Sequence, residues 1–164
     1  PTGAIAKFAA GGKVQAKKNL GLMQMQYKNV YIAYVSMGTN PAATVKAFNE
    51  AENYDGPALI IAYAHCIEQG INTANGPDRQ KIAVNSVHFP LWRYNPMAAA
   101  EGKNGLTLDS KAASVSFAET ATEENRFKQL LAKNPAAKEV LEKAELGFKE
   151  NYELLRQLAE LPKL

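Results

Sequence analysis

Nine residues, Ala58–Cys66, constrain this chain more than any others. They read ALIIAYAHC, follow the turn signal Asp55-Gly56-Pro57, and contain no Lys, Arg, Asp or Glu. An apolar run this short, with β-branched residues at its centre, has the length of a strand and is too apolar to leave one face in water. It predicts a strand buried on both faces of a parallel sheet. The run ends in His65-Cys66, and Cys66 is the only cysteine. In open α/β sheets, ligands collect beyond the carboxyl ends of the strands. The most reactive side chain therefore falls where that architecture places chemistry.

The residues upstream supply the partner strand. Val30–Met37, VYIAYVSM, is again nearly all apolar. Gly38-Thr39-Asn40-Pro41 then opens a helix, with Asn40 as N-cap and Pro41 at the first helical position. Val45, Phe48 and Ala51 recur at helical spacing and are expected to face the core. The helix is expected to end near Asn53, because Gly56 and Pro57 stop it. Strand, helix, strand is a βαβ unit, with both strand ends, Met37-Gly38 and His65-Cys66, on one edge of the sheet. The N-terminus of the Pro41 helix points to the same edge. Its free N–H groups suit an anion there, although an ordinary capped surface helix reads the same way.

The remaining segments carry weaker patterns. Ala4–Ala10 is composed of good helix formers and is closed by Gly11-Gly12. Leu20–Tyr27 is a second short helix whose methionines read as core filler. Glu68–Pro77 is a loop and Asp78–Val87 a helix, with Ile82, Ala83 and Val87 inward. Phe89–Tyr94 is a third strand candidate that Pro90 confines to an edge or an extended segment. Trp92 within it is a packing anchor, and Arg93 is either solvated or paired with an acid across an interface. Asn95–Ser116 is long for a connection in a compact domain. Thr120 and Glu123 have capping-box spacing ahead of a helix with Phe127, Leu130 and Leu131 apolar. After Asn134-Pro135 a last helix runs to about Glu160, its stripe formed by Leu141, Ala144, Phe148, Tyr152, Leu155 and Leu158. The chain divides on this reading into residues 1–118, a sheet portion, and 119–164, a helical tail that packs on the sheet or on a partner. Parallel strands want neighbours on both edges, so an exposed edge would favour association.

At 164 residues and +3 formal charge, the chain is long enough for one real core and too weakly basic to argue for nucleic acid. The positive excess sits at the N-terminal end, on Lys7, Lys13, Lys17, Lys18 and Lys28, as a solvated face or a face for an anionic partner. A single cysteine precludes an internal disulfide, which favours a reducing compartment and a cytoplasmic location. No apolar run approaches the length of a membrane span. The chain opens on Pro1-Thr2-Gly3, without Met, which raises the expectation of a processed or excised N-terminus.

Cys66 has three chemical readings: a buried structural thiol, a nucleophile, or a metal or cluster ligand. A nucleophile needs a base. His65 is adjacent, but strand neighbours point to opposite faces, and His88 reaches Cys66 only through the fold. A tetrahedral thiolate site needs four ligands where this chain offers one thiol. Asp55, Asp78 and Asp109 sit in turns or helix starts and read as structural carboxylates. There is no GxGxxG, P-loop or HExxH pattern, and Gly11-Gly12-Lys13 is only a fragment of a phosphate loop.

Taken together, several stretches resemble one family. They are AKFAAGGK (Ala6–Lys13), KK-x-LG (Lys17–Gly21), NVYIAYVSMG (Asn29–Gly38), AENYDGPALIIAYAHCIEQGI (Ala51–Ile71), QKIAVNSVHFPLWRYNP (Gln80–Pro96) and EGKN-x-LTLDSKAA (Glu101–Ala113). The combined pattern is similar to the C-terminal part of the thiamine-diphosphate-binding domain of pyruvate:ferredoxin (flavodoxin) oxidoreductases, over essentially the whole chain. The resemblance implies a partial thiamine-diphosphate-binding α/β fold with a parallel βαβ core and a helical tail. It implies an enzyme that oxidatively decarboxylates pyruvate on thiamine diphosphate with Mg²⁺ and passes the acetyl unit to coenzyme A. Electrons would leave through [4Fe–4S] clusters to ferredoxin or flavodoxin. Cys66 matches the family cysteine that ligates the cluster nearest the thiamine, the other three ligands lying earlier in the family's chain. Thr2 and Gly3 would follow the loop that touches the cofactor, and so stand near the thiamine site; the resemblance implies no catalytic residue within these 164 residues. The resemblance further implies the rest of the same enzyme as partner, a homodimer when intact, and no membrane or nucleic-acid partner. It also implies a fragment that does not turn over pyruvate alone. Two alternatives stay open: a non-enzymatic partner-binding module of the same ancestry, and an oxidoreductase for another 2-oxoacid.

Overall fold

In the computed structural model, which describes residues 2–163 (at Thr120 the backbone only), four strands form one mixed sheet. They are β1 (Tyr31–Val35), β2 (Ala58–Ala62), β3 (Trp92–Tyr94) and β4 (Leu106–Leu108), in the spatial order β2-β1-β3-β4. β1 and β2 run parallel, with Tyr31 opposite Ala58 and Val35 opposite Ala62, as the βαβ reading requires. Between them lies α2 (Pro41–Glu52), which begins as its sequence dictates: the Asn40 side chain accepts the Ala43 N–H at 2.9 Å, and Pro41 opens the first turn. The chain is therefore α/β, with one parallel pair and a long C-terminal helix.

Two strand expectations are corrected by this topology. β2 is an edge strand, only partly buried along its middle and exposed at Ala58 and Ala62. β3 is central rather than marginal, pairing antiparallel with β1 on one side and β4 on the other. The reason lies in the return of residues 95–116. That segment is not a structureless connection but forms α4 (Pro96–Ala100) and then β4, which takes the outer side of β3 and leaves no chain to cover β2. Pro90 does not oppose this placement, because the ladder begins two residues later at Trp92.

Helix α2 also faces differently from its apolar spacing. Thr44 and Ala47 are its buried residues, while Val45 and Phe48 are each 54% exposed. Small side chains let the helix lie close over Ala33, which is fully buried, and the larger ones are turned aside.

The N-terminal segment is not the predicted helix. Ala6 and Ala9 exchange both backbone hydrogen bonds, Lys13 N–H donates to the Ala4 carbonyl, and Gly3 N–H donates to the Lys13 carbonyl at 2.7 Å. The result is a narrow hairpin. Gly12, at φ +91°, lies so close to Leu130 that a Cβ there would sit 2.9 Å from its side chain. Tertiary contact and two left-handed backbone positions override the helix propensity of the alanines. Helix α1 (Leu20–Met25) follows as expected; Met25 is buried and Met23 exposed.

The C-terminal half is helical: α3 (Gly76–Asn85), α5 (Phe117–Ala121), α6 (Asn125–Lys133) and α7 (Ala137–Glu160). Thr120 lies inside α5 rather than ahead of a helix, and its side chain lies outside the described residues, so the predicted capping box is not seen. Instead a carboxylate from another helix caps α5. Glu145 Oε2 accepts from the Ala118 N–H at 3.0 Å and the Ser116 hydroxyl at 2.7 Å. Phe127, Leu130, Leu141 and Ala144 form one core with Ala4 and Phe117, and further along α7 Leu155 joins the sheet core of Ile32, Trp92, Tyr94 and Leu106. The last helix thus packs on its own sheet.

Candidate ligand site at the carboxyl rim of the parallel pair

β1 and β2 end on the same rim, and each is extended by a few fixed residues. Beyond β1, the Ser36 hydroxyl meets Thr39 Oγ1 at 2.9 Å and donates to Gln80 Oε1 at 3.0 Å, while the Gly38 N–H donates to the same oxygen at 2.8 Å. Gln80, on α3, thereby ties the end of β1 to a helix more than 40 residues away in sequence. Nothing local in the sequence marks Gln80, because both of its partners are tertiary.

Beyond β2, Tyr63 N–H donates to the Val35 carbonyl at 2.9 Å, and the chain then runs through Ala64 and His65 to Cys66. Cys66 is in extended backbone (φ −116°, ψ 115°) at the head of a single 3₁₀ turn, Ile67–Gln69, and its carbonyl accepts the Gln69 N–H. Its thiol is free and partly exposed. Cys66 is therefore not sealed in the interior; it is at the rim where β1 also ends.

The two histidines are directed elsewhere. The His65 ring lies against Gly76 at the start of α3, where a Cβ would sit 2.4 Å from it, and its Nδ1 is buried without a protein partner. His88 is stacked on Phe117 at 4.9 Å and edge-on to Phe148 at 4.6 Å, with Nδ1 also unpartnered. Burial pushes its imidazole down to about 3, helped by the cations Arg126 and Lys17. No hydrogen bond joins either ring to Cys66 among the described residues, so the pairing that a thiol nucleophile needs is missing. Nor do the described residues hold any group of three His, Cys, Asp or Glu able to bind a metal ion. Cys66 offers one thiolate, and a cluster would need the others from elsewhere.

A neutral, unpaired His88 is a liability below neutrality. Its folded-state affinity for a proton is depressed, so as pH falls below about 6.5 the unfolded chain is protonated and the native one is not; stability is lost from there down to about pH 3. Replacing His88 by Phe keeps the ring stack and is expected to flatten the urea-midpoint-versus-pH curve between pH 6.5 and 4.5. An unaltered slope would show that the titration belongs to another group.

Thr2 and Gly3 sit in the hairpin rather than on the rim. Thr2 is buried and donates from Oγ1 to the Gln15 carbonyl at 3.2 Å; Gly3, at φ +81°, faces Leu141, 3.1 Å from where its Cβ would be. Both are engaged in holding the segment's shape. The same hairpin does approach the Cys66 loop. Ile5, Ala6 and Lys7 of the hairpin, Glu68 and Gln69 of the Cys66 loop and Arg126 of α6 all line one open groove of about 460 Å³. Of the predicted structural carboxylates, Asp78 pairs with Lys81 and Asp109 with Arg93. Arg93 is bound within the chain, not across an interface.

Relatives of this chain are found among large oxidoreductases. It is 49% identical over 160 residues to a pyruvate-flavodoxin oxidoreductase of Trichormus variabilis, and 48% identical over 160 residues to a pyruvate:ferredoxin oxidoreductase of Moorella thermoacetica. Both matches take in 97% of this chain but only 13% and 14% of those proteins. A pyruvate dehydrogenase [NADP(+)] of Euglena gracilis is 46% identical over 139 residues, 84% of this chain and 8% of that protein. No family model matches.

Proposed function

Starting from the fact that this chain is homologous to a segment of the pyruvate-flavodoxin and pyruvate:ferredoxin oxidoreductases, we propose that it forms part of an enzyme oxidising pyruvate, in which Cys66 is one thiolate ligand of an iron–sulfur cluster. The observation that carries this reading is the position of Cys66: the only thiol in the sequence, partly exposed, at the carboxyl rim of a parallel strand pair. A [4Fe–4S] cluster would supply one-electron transfer, with thiamine diphosphate and Mg²⁺ as the decarboxylating cofactor, coenzyme A as acyl acceptor and flavodoxin or ferredoxin as electron acceptor.

This chain's own part is positional. The hydrogen bond from Tyr63 to Val35 locks the end of β2 to β1, and the 3₁₀ turn fixes the thiol's backbone. Cys66 lies on the short loop beyond β2, and the flanking bond and turn would limit how far its backbone moves. The exposed side chain of Ile67 beside Cys66 would limit water at a bound cluster. Thr2 and Gly3, engaged in the hairpin, would shape the segment near the thiamine site rather than touch the cofactor. Because one thiolate cannot hold a four-iron cluster, the chain by itself is expected to be inactive.

The test is Cys66→Ser in the native polypeptide that carries this chain. Expected is a reduced iron content and an altered or absent electron-paramagnetic signal from one cluster, with the far-ultraviolet spectrum intact. Full iron content with an unchanged spectrum would overturn the assignment.

A further inference from the structure

We propose that His65 is a positioning residue: its ring, seated against the first residue of α3, sets the direction in which the Cys66 thiol faces. This role presupposes Cys66 as a cluster ligand and names what aims it.

The seat is made by a missing side chain. Helix α3 begins at Gly76 in ordinary right-handed helical backbone (φ −52°, ψ −50°), so its dihedral angles do not call for glycine. The ring does. A Cβ on Gly76 would lie 2.4 Å from Cε1, 2.7 Å from Nε2 and 3.2 Å from Nδ1 of His65. A rigid imidazole cannot bend away from such a contact as the tip of a long side chain can. Its Nδ1 is buried without a hydrogen-bond partner among the described residues, so packing and not a bond from that nitrogen holds the ring in place.

The seat itself is tied down. One turn along α3, Gln80 Oε1 accepts from the Gly38 N–H at 2.8 Å and the Ser36 hydroxyl at 3.0 Å. A Cβ on Gly38 would fall 2.8 Å from the Cα of Pro77, so the first turn of α3 is pressed against the end of β1 while its Gly76 receives the ring from the extension of β2. On the other side of Cys66 the chain closes on itself. Gln69 N–H donates to the Cys66 carbonyl at 3.1 Å and Gly70 N–H to the Ile67 carbonyl at 2.9 Å; Gly70, at φ +77°, then leads into buried Ile71. Between the seated ring and this closed turn stands Cys66, in extended backbone. Neighbouring side chains of an extended chain point to opposite faces, so a ring turned to α3 directs the thiol away from it. Removing the ring frees the anchor upstream of the thiol and leaves the thiol in the chain. The potential of an iron–sulfur cluster responds to water and hydrogen bonds at its sulfurs, so a redirected thiolate is read as a changed potential.

The test is made in the native polypeptide that carries this chain. His65→Ala is expected to keep the full iron content and to shift the midpoint potential and g-values of the one cluster whose signal depends on Cys66. His65→Phe refills the seat with a ring that has no nitrogen, and is expected to return both to their wild-type values. Gly76→Ala crowds the ring out of its seat and should shift them as His65→Ala does; it supplies the same comparison if His65→Ala does not fold. A Cys66-dependent signal left at its wild-type potential by these variants would overturn the proposal. So would a His65→Phe protein shifted as far as the alanine one, which would give the effect to a ring nitrogen. If Cys66→Ser itself leaves every cluster signal unchanged, the assignment of Cys66 fails and the role of His65 falls with it.

Discussion

Trp92→Ala is expected to cost about 3–5 kcal/mol of folding free energy, out of the roughly 5–15 available to a domain of this size. Trp92 is fully buried in the central strand β3, stacked on Tyr34 at 4.9 Å, and shares a core with Ile32, Tyr94, Leu106 and Leu155. Helix α1 approaches it so closely that a Cβ at Gly21 would fall 2.7 Å from the indole. One side chain thus joins β1, β4, α1 and α7, and its removal leaves a cavity that none of these elements can fill without moving the others. At about 2–4 °C per kcal/mol for a chain this long, the melting temperature should fall by roughly 6–20 °C, while Trp92→Phe should lose clearly less. A fall below 3 °C for the alanine variant would mean that the indole is not the anchor its burial indicates.

The second large effect is expected at Arg93. Its guanidinium donates to both carboxylate oxygens of Glu50, at 2.7 and 2.6 Å, and, through Nε and Nη2, to Asp109 at 2.8 and 2.9 Å. Tyr31 adds a phenolic donor to Glu50 at 2.7 Å. The cluster clamps the end of α2 and the residue after β4 onto the sheet. Arg93→Ala leaves the Glu50 and Asp109 carboxylates without their shared cation, at a cost of about 2–4 kcal/mol. That is below the figure for a fully buried pair, because both acids keep some exposure. The same variant fixes the pH behaviour. Burial alone would raise the Glu50 pKa, but the hydrogen bonds from Arg93 and Tyr31 outweigh it and hold the carboxyl below its ordinary value of 4.5. Glu145 is treated alike: burial opposes ionisation, and bonds from Lys149, the Ala118 N–H and Ser116 bring it down to about 2. Acids with lowered folded pKa values stabilise above about pH 4.5 and lose that contribution as pH falls through the folded value. Acid unfolding of the wild type should therefore steepen below pH 4.5, and Arg93→Ala should remove part of that steepness. A variant whose stability is lowered equally at pH 4 and pH 8 would show that the loss is one of packing rather than charge.

Local chemistry by itself determined the βαβ unit. Asn40-Pro41 can begin a helix, Asp55-Gly56-Pro57 can end one, and two apolar runs of strand length on either side can pair only in parallel across it. Through that unit it also set Cys66 beyond a strand end. The long stripe from Leu141 to Leu158 was legible for the same reason, since its period is a property of the helix alone. Tertiary structure decided what local spacing leaves open. The position of a strand in a sheet depends on which distant segment arrives beside it, and so β3 became central and β2 an edge when residues 95–116 folded back as β4. The face that α2 buries was chosen by the closeness of β1, which admits Thr44 and Ala47 but not Val45 and Phe48. The alanine-rich start was bent into a hairpin by glycines packed against Leu130 and Leu141. Propensity and periodicity act over one or two turns of chain; burial, ion pairs such as Arg93 with Glu50, and the bond from Gly38 to Gln80 act across 40 residues or more, and only the folded chain brings those partners together.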